Sequence, residues 1–138
     1  MQEYYWLILI VTLIVGLGIG LMVLIKMKGS KIGAANQRYF AQQWKRVMLD
    51  KYANPARAIM DADKILDKVM AQLGYSGHLG EKLKRSRSIF GDINGVWRAH
   101  KLRNKLAHEL DFRPSKREID DALANFKRAL TDLGLKIR

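Results

Sequence analysis

The chain begins with an apolar run whose length constrains how it can fold. Residues 4–25, YYWLILIVTLIVGLGIGLMVLI, contain no charged side chain. A helix made from these 22 residues would extend ~33 Å, enough to cross the roughly 30 Å hydrocarbon core of a bilayer. Tyr4, Tyr5 and Trp6 stand at its outer end, where aromatic side chains favour a membrane interface. The sequence therefore predicts a transmembrane anchor over residues 1–25.

The charges beside this run predict its orientation. Lys26, Lys28 and Lys31 follow it directly, whereas Glu3 is the only charged side chain before it. Positive flanks remain inside, so we expect a single-pass protein of the cell membrane with its N-terminus outside and its C-terminal domain in the cytoplasm. A cleaved signal peptide is the alternative, and it would export the domain. It would need a basic start, a shorter apolar core and a small-residue cleavage site.

The remainder of the chain is strongly basic. Residues 26–138 hold all 25 Lys and Arg residues and 12 of the 13 acidic residues, a net charge of +13. This charge favours a polyanionic partner such as RNA, DNA or an anionic lipid surface, although it also serves solubility. The densest basic run is EKLKRSRS, residues 81–88, which is either a solvated face or a phosphate-binding patch. The candidate phosphate-binding residues are Lys82, Lys84, Arg85, Arg87, Lys101 and Lys105.

The soluble part is predicted to be all-α. Residues 26–35 read as a short basic linker, and apolar residues at helical spacing follow throughout residues 36–138. Helix signals include Asn54 before Pro55, and the pair Ser115 and Glu118, which forms a capping box. No segment alternates as a strand does, so we expect a bundle of four main helices and one short helix. The predicted helices end near Tyr52, Gly74, Ser88, Leu110 and Gly134.

Several functional classes are excluded or disfavoured. The absence of cysteine excludes a disulfide framework, a Cys-based zinc site and a thiol nucleophile. No H-E-x-x-H motif occurs, and Gly29-Ser30-Lys31 lacks the spacing of a phosphate loop. We therefore expect no metal site and no small-molecule cofactor, and the lack of strands argues against a nucleotide-binding Rossmann or P-loop protein.

The penultimate predicted helix, residues 95–110, carries two contrasting faces. The face expected toward the core is apolar and comprises Ala99, Leu102, Leu106 and Leu110. The roughly opposite face is aromatic and polar and comprises Trp97, His100, Asn104 and His108. The last three are spaced four apart and so line up along the helix axis. This pattern indicates either a functional site or an ordinary polar face with Trp97 partly covered by a neighbour.

The hexapeptide Arg103-Asn104-Lys105-Leu106-Ala107-His108 resembles the HEPN motif. In that motif an arginine, usually followed by a polar residue, precedes a histidine with four to six residues between them. HEPN domains are small all-α bundles with the motif late in the domain and a further helix after it. The resemblance covers roughly residues 36–133 in architecture and this hexapeptide in specific residues.

The resemblance implies a chemistry, because many HEPN domains are metal-independent endoribonucleases. RNA supplies its own nucleophile, the 2′-hydroxyl, so cleavage needs a base, an acid and a cation for the phosphorane charge. His108 would be the base or the acid, and Arg103 would hold the phosphate. Asn104 would orient the His108 ring or contact the phosphate. The product would carry a 2′,3′-cyclic phosphate.

Other members of this superfamily are non-catalytic partners or scaffolds. The alternative function is therefore a membrane-tethered interaction module that binds RNA, anionic lipid or a protein partner. The family's site is commonly shared between two protomers, which implies a homodimer through the Trp97, His100, Asn104 and His108 face. Gly16 and Gly20 form a GxxxG pair that would let two membrane helices approach closely.

Two further residues are candidates for supporting roles. Asp63 lies at the edge of an apolar stripe and should have a partner, for which Arg103 or a histidine would serve. An internal salt bridge or a half-exposed position is the alternative for Asp63. His100 is either a second catalytic or RNA-contacting group or a surface histidine.

Overall fold

The first helix, α1, covers Gln2–Met27. The computed structural model describes the backbone of residues 2–27 and 31–138, and the side chains of residues 4–22 and 31–138. Tyr4–Met22 has a mean hydropathy of 2.4 and no part of it is buried. This helix is long and apolar enough to span a membrane. The predicted linker, residues 26–35, lies partly outside the described residues, as does its flanking charge at Lys28.

The chain divides into two compact units, Met1–Ser30 and Lys31–Arg138. Within the described residues, the second unit is entirely helical. It contains four longer helices and one short helix, as predicted. These are α2 Ala34–Asp50, α3 Pro55–Gln72, α4 Leu79–Arg85, α5 Ile93–His108 and α6 Lys116–Asp132, with a 3₁₀ turn at Arg87–Ile89 between α4 and α5.

Local capping groups set where these helices begin. The Asn54 side chain accepts a hydrogen bond from the Arg57 amide at the start of α3. The Asp92 carboxylate accepts one from the Gly95 amide, 2.8 Å away, at the start of α5. Ser115 opens α6 by accepting from the Glu118 amide. Each cap satisfies a backbone donor that has no partner within the helix, so polar residues at these positions determine the helix starts.

Two predicted helix boundaries are wrong. α5 ends at His108 rather than Leu110, because Glu109 leaves the helical conformation (ψ 110°). Leu110 is consequently fully exposed rather than part of the core, and Leu106 is only half-buried. α4 ends at Arg85, three residues before the predicted Ser88. The Ser86 amide and hydroxyl both bond to the Lys82 carbonyl as this helix closes.

The core is organised around α3, which contacts each of the other four helices of the unit. Its apolar stripe is completely buried at Ile59, Leu66 and Met70. Trp44 of α2 and Phe126 of α6 are the largest fully buried side chains beside them. α3 therefore lies at the centre of the unit, and a polar residue on its buried face must find its partner inside the protein.

The end of α2 is tied to α6 by a polar cluster at the surface. The Tyr52 hydroxyl donates to the Asp120 carboxylate at 2.9 Å, and the Lys51 ammonium lies 2.6 Å from the same oxygen. Hydrogen bonds from Lys51 and Tyr52 hold the pKa of Asp120 below its usual value. Asp120 of α6 is therefore paired with residues that follow α2.

We predict that the fragment Lys31–Arg138 folds without α1, because every residue of the core belongs to this unit. Leu66→Ala should lower its free energy of unfolding by ~2–5 kcal/mol, since the substitution leaves a cavity at the centre of the core. Urea unfolding followed by circular dichroism measures the change. The matched control, Leu110→Ala, should shift the free energy by no more than about 0.5 kcal/mol. Equal effects of the two substitutions would contradict this core.

Candidate active site

A buried carboxylate organises the polar residues between α3 and α5. Asp63 faces inward from the middle of α3 and is only 5% exposed. Its Oδ1 lies 2.7 Å from Nδ1 of His100, and its Oδ2 lies 3.4 Å from Nε of Arg103. The expectation that Asp63 has Arg103 or a histidine as its partner is confirmed, and both are present. These contacts offset the desolvation of a charge so deeply buried.

The contact with Asp63 determines how the His100 ring presents its nitrogens. An ionised carboxylate can only accept hydrogen bonds, so Nδ1 of His100 must carry the proton that is shared with Asp63. In the neutral ring Nε2 is then left with a lone pair. The Asn104 side-chain nitrogen lies 3.4 Å from this Nε2, in position to donate to it. His100 is therefore oriented as a base whose proton-accepting nitrogen points away from Asp63.

Arg103 and Asn104 complete the cluster from the next turn of α5. Nη1 of Arg103 donates to Oδ1 of Asn104 at 3.0 Å. Nε of Arg103 is buried and has no hydrogen bond of good geometry, so its ion pair with Asp63 is its main contact. The Arg103 side chain remains 28% exposed. Because guanidinium has five donors, part of it is available to a ligand in addition to these internal contacts.

A surface groove of about 330 Å³ opens onto this cluster. It is lined by residues of α3, α4 and α5 and of the loop before α4: Asp63, Lys64, Asp67, His78, Leu79, Gly80, His100, Arg103 and Asn104. A Cβ atom on Gly80 would lie 3.5 Å from the Trp97 ring and 4.0 Å from Nε2 of His100. The missing side chain at Gly80 therefore leaves space beside the nitrogen that would act as the base.

The remaining motif residue, His108, stands apart from this groove. It is the last residue of α5 and is exposed, and its side chain has no hydrogen bond or ion pair with any residue that the structure describes. Trp97 is half-buried and packs edge-on against His100, with ring centroids 5.9 Å apart. The structure therefore brings together Asp63, His100, Arg103 and Asn104, and leaves His108 at the open end of the same helix.

The predicted basic patch is divided between different environments. Lys82 is buried and donates to both the carbonyl and the carboxylate of Asp67, so it is not part of an exposed patch. Arg85 donates to the carbonyls of Ser76 and Glu81 and holds the loop before α4. Residues 81–88 were predicted to be either a solvated face or a phosphate-binding patch, and the buried position of Lys82 shows that they are not solvated throughout. The other candidates, Lys84, Arg87, Lys101 and Lys105, are exposed.

The groove residues that were not selected from the sequence include a second histidine, His78. His78 precedes α4 among loop glycines, a context that carries no functional signal, yet its side chain lines the groove with His100. Its Nε2 lies 3.9 Å from the Glu81 carboxylate. Among the described residues, no group of three or more His, Cys, Asp or Glu side chains is placed to hold a metal ion.

Comparisons of the chain with protein-family models, with curated proteins and with solved structures found no match. The function is therefore indicated by the chemistry of the groove and by the residues of the Arg103–His108 hexapeptide.

We predict that the neutral His100 ring is protonated at Nδ1, because Asp63 accepts that proton. Long-range ¹H–¹⁵N correlation spectra at a pH where the ring is neutral report the protonated nitrogen directly. Asp63→Ala should return the ring toward the Nε2–H form that free histidine prefers. The exposed rings of His78 and His108 provide internal controls that should not change. An Nε2–H tautomer of His100 in the unsubstituted protein would by itself refute the hydrogen bond from Nδ1 to Asp63.

Proposed function

We propose that this protein is a membrane-anchored, metal-independent endoribonuclease whose chemistry takes place at the α3–α5 groove. The observation that carries the proposal is the Asp63–His100 pair with Arg103 and Asn104 beside it. It places an oriented imidazole and a partly exposed guanidinium next to an open groove. These supply two of the three groups that cleavage of RNA by its own 2′-hydroxyl requires, the base and the cation, and the acid must come from elsewhere.

The reaction uses these groups in defined roles. Nε2 of His100, once released from its 3.4 Å contact with the Asn104 side-chain amide, takes the proton from the 2′-hydroxyl, whose oxygen attacks phosphorus while the bond from phosphorus to the 5′-oxygen breaks. Arg103 stabilises the charge on the phosphorane oxygens. His108 of a second copy of the chain donates the proton that the departing 5′-oxygen needs, the acid role that the HEPN resemblance allows, because within one chain His108 lies about 12 Å along α5 from His100. The products are a 2′,3′-cyclic phosphate and a free 5′-hydroxyl.

The charge of the domain favours a polyanionic substrate. Residues 26–138 carry a net charge of +13. Lys101 and Lys105 are exposed on the α6 side of α5, the helix that carries His100 and Arg103. Exposed cations on the element that carries the chemistry would attract a phosphate backbone and hold it there. Affinity for RNA should consequently fall steeply as the salt concentration rises.

A shared site in a homodimer also fits these features. The open position of His108 leaves it free to contact a phosphate held by a second copy of the chain. In α1, a Cβ at Gly16 or Gly20 would meet nothing among the described residues within 4 Å, so this helix surface is open to a second helix. Pairing in the membrane would raise the local concentration of the two domains.

The second candidate function is a non-catalytic membrane-tethered module. It is favoured by one observation: Arg103 is engaged by Asp63, while His108 makes no contact with the cluster. If this arrangement persists with RNA bound, the protein binds without turnover. The two functions make opposite predictions for a cleavage assay.

The fragment Lys31–Arg138 should cleave single-stranded RNA in EDTA and leave 2′,3′-cyclic phosphate ends. His100→Ala should lower the rate by roughly 100-fold or more, because a positioned general base contributes about 10²–10⁴. His108→Ala should lower it similarly if His108 is the acid. Rates are measured by gel electrophoresis and the ends by mass spectrometry. RNA with 2′-O-methyl groups should resist cleavage, since its nucleophile is blocked.

Arg113→Gln provides the matched control for charge, because Arg113 is exposed and lies outside the groove. Loss of activity in His78→Ala but not in His108→Ala would transfer the acid role to His78. Restored cleavage on mixing the His100→Ala and His108→Ala proteins would show a site shared between two chains. If the folded fragment and the full-length protein both bind RNA and neither cleaves it, the result would favour the non-catalytic module.

The anchor and its orientation are tested separately. We propose that α1 spans the cell membrane with its N-terminus outside, since Tyr4–Met22 is apolar throughout and the positive charges follow it. The chain has no cysteine, so Gln2→Cys and Ala124→Cys each introduce a single reactive thiol. In intact cells an impermeant maleimide should label position 2 and not position 124 until the cells are lysed. Labelling of position 124 in intact cells would contradict the cytoplasmic domain.

A further inference from the structure

The last residues of the chain are held against α2 by one side chain. Gln37 donates from Nε2 to the Gly134 carbonyl at 2.7 Å, and its Oε1 accepts from the Lys136 amide at 2.9 Å. Leu135 between them is buried in the core. The segment 133–138 therefore has a defined position beside the first helix of the folded unit.

This arrangement brings together cations that are almost a hundred residues apart in sequence. Lys45 of α2 lines a shallow surface recess with Lys136 and Arg138. Arg38 lies two turns before Lys45 on the same side of α2. We call these four residues, Arg38, Lys45, Lys136 and Arg138, the α2–C-terminal patch. Even with a terminal carboxylate on Arg138 its net charge is +3.

No acidic side chain neutralises the patch. None of its four cations forms an ion pair with a described residue, and residues 31–49 and 133–138 contain no Asp or Glu. Elsewhere the cations are often paired. Asp92 holds both Arg98 and Arg128, and Asp61 lies beside Arg57. An unpaired cluster of cations keeps its full attraction for an external anion.

We propose that the α2–C-terminal patch binds anionic phospholipid headgroups of the leaflet into which the chain is anchored. The proposal rests on the membrane anchor proposed above. Only six residues separate the end of α1 at Met27 from the start of α2 at Ala34, a covalent reach of at most about 25 Å. So short a tether gives the patch a high effective concentration of lipid, and anionic headgroups attract basic residues near their surface.

Lipid is favoured over RNA as the ligand of this patch by its position. The patch lies on α2, the first helix after the anchor, and on the terminal segment. The groove proposed for RNA is lined by α3, α4, α5 and the loop before α4. The two surfaces share no residue, so RNA at the groove and lipid at the patch can be bound together.

The test uses the full chain in nanodiscs made either of phosphatidylcholine alone or of phosphatidylcholine with phosphatidylglycerol. Lysine acylation read by mass spectrometry reports the accessibility of Lys45 and Lys136. Lys84 of α4 and Lys101 of α5 are exposed internal controls. Anionic discs should protect Lys45 and Lys136 and leave the controls labelled, and about 0.5 M salt should abolish the protection by screening.

A double variant, Arg38→Gln with Arg138→Gln, keeps both reporter lysines and removes two patch charges. It should lower the ratio of bound to unbound patch roughly 25-fold, because each basic residue near the surface contributes about fivefold. The matched control is Arg87→Gln with Arg113→Gln. It removes the same charge from exposed arginines outside the patch and should leave the protection unchanged.

Three results would overturn the proposal. The first is a chain that enters anionic discs yet shows no protection of Lys45 and Lys136. This result would refute lipid binding by the patch but not the membrane anchor. The second is equal protection of the control lysines, which indicates general attraction without a defined surface. The third is protection by RNA added to phosphatidylcholine discs in place of protection by anionic lipid. A chain that does not enter the discs refutes the anchor itself, and this outcome is seen before any labelling.

Discussion

The burial of Asp63 is the constraint on which the site depends. A carboxylate placed among the apolar side chains of α3 must have cationic or hydrogen-bonding partners, or its ionised form would destabilise the fold. α5 supplies both His100 and Arg103, one turn apart. Meeting this requirement aligns α5 against α3, selects the tautomer of His100 and positions Arg103 for its bond to Asn104. A demand of folding thus produces an ordered arrangement of groups suited to proton transfer and phosphate binding.

The distribution of the acidic residues shapes where this basic protein can bind an anion. Asp67 is committed to the buried Lys82 and Asp63 to the α5 cluster. Asp92 caps the start of α5 and pairs with Arg98 and with Arg128 of α6. Acids used for internal contacts leave other cations without partners. Exposed cations without an ion pair among the described residues therefore remain at particular surfaces, and the α2–C-terminal patch is one of them.

Much of the fold was predictable because its signals are local. Asn54, Asp92 and Ser115 cap helices where a polar residue before an apolar repeat predicts them. The errors occurred where tertiary contacts determined the outcome. Lys82 belongs to a dense basic run, and a reader of the sequence has no means of knowing that Asp67 lies beside it. Leu110 continues the apolar spacing of α5, although the helix has already ended.

The candidate site shows the same division. His100 and Asn104 stand out by spacing on one helix, Arg103 by the hexapeptide it begins, and Asp63 by its place in an apolar stripe. Their meeting with His100 depends on how α3 packs against α5. His78 had no signal at all, because its position at the groove comes from the fold of a loop. The resemblance to the HEPN motif is confined to a single stretch of α5 and remains a prediction.

The sequence by itself determined the apolar first helix, the all-helical class and the sites of helix capping, since each depends on residues within a few positions of one another. Only the tertiary structure decided that Asp63 meets His100 and Arg103, and that Gln37 holds the terminal segment beside Lys45. Hydrophobic periodicity specifies which face of a helix is buried, but it does not specify which helix covers that face. The partners of buried and surface charges are therefore decided when the helices pack.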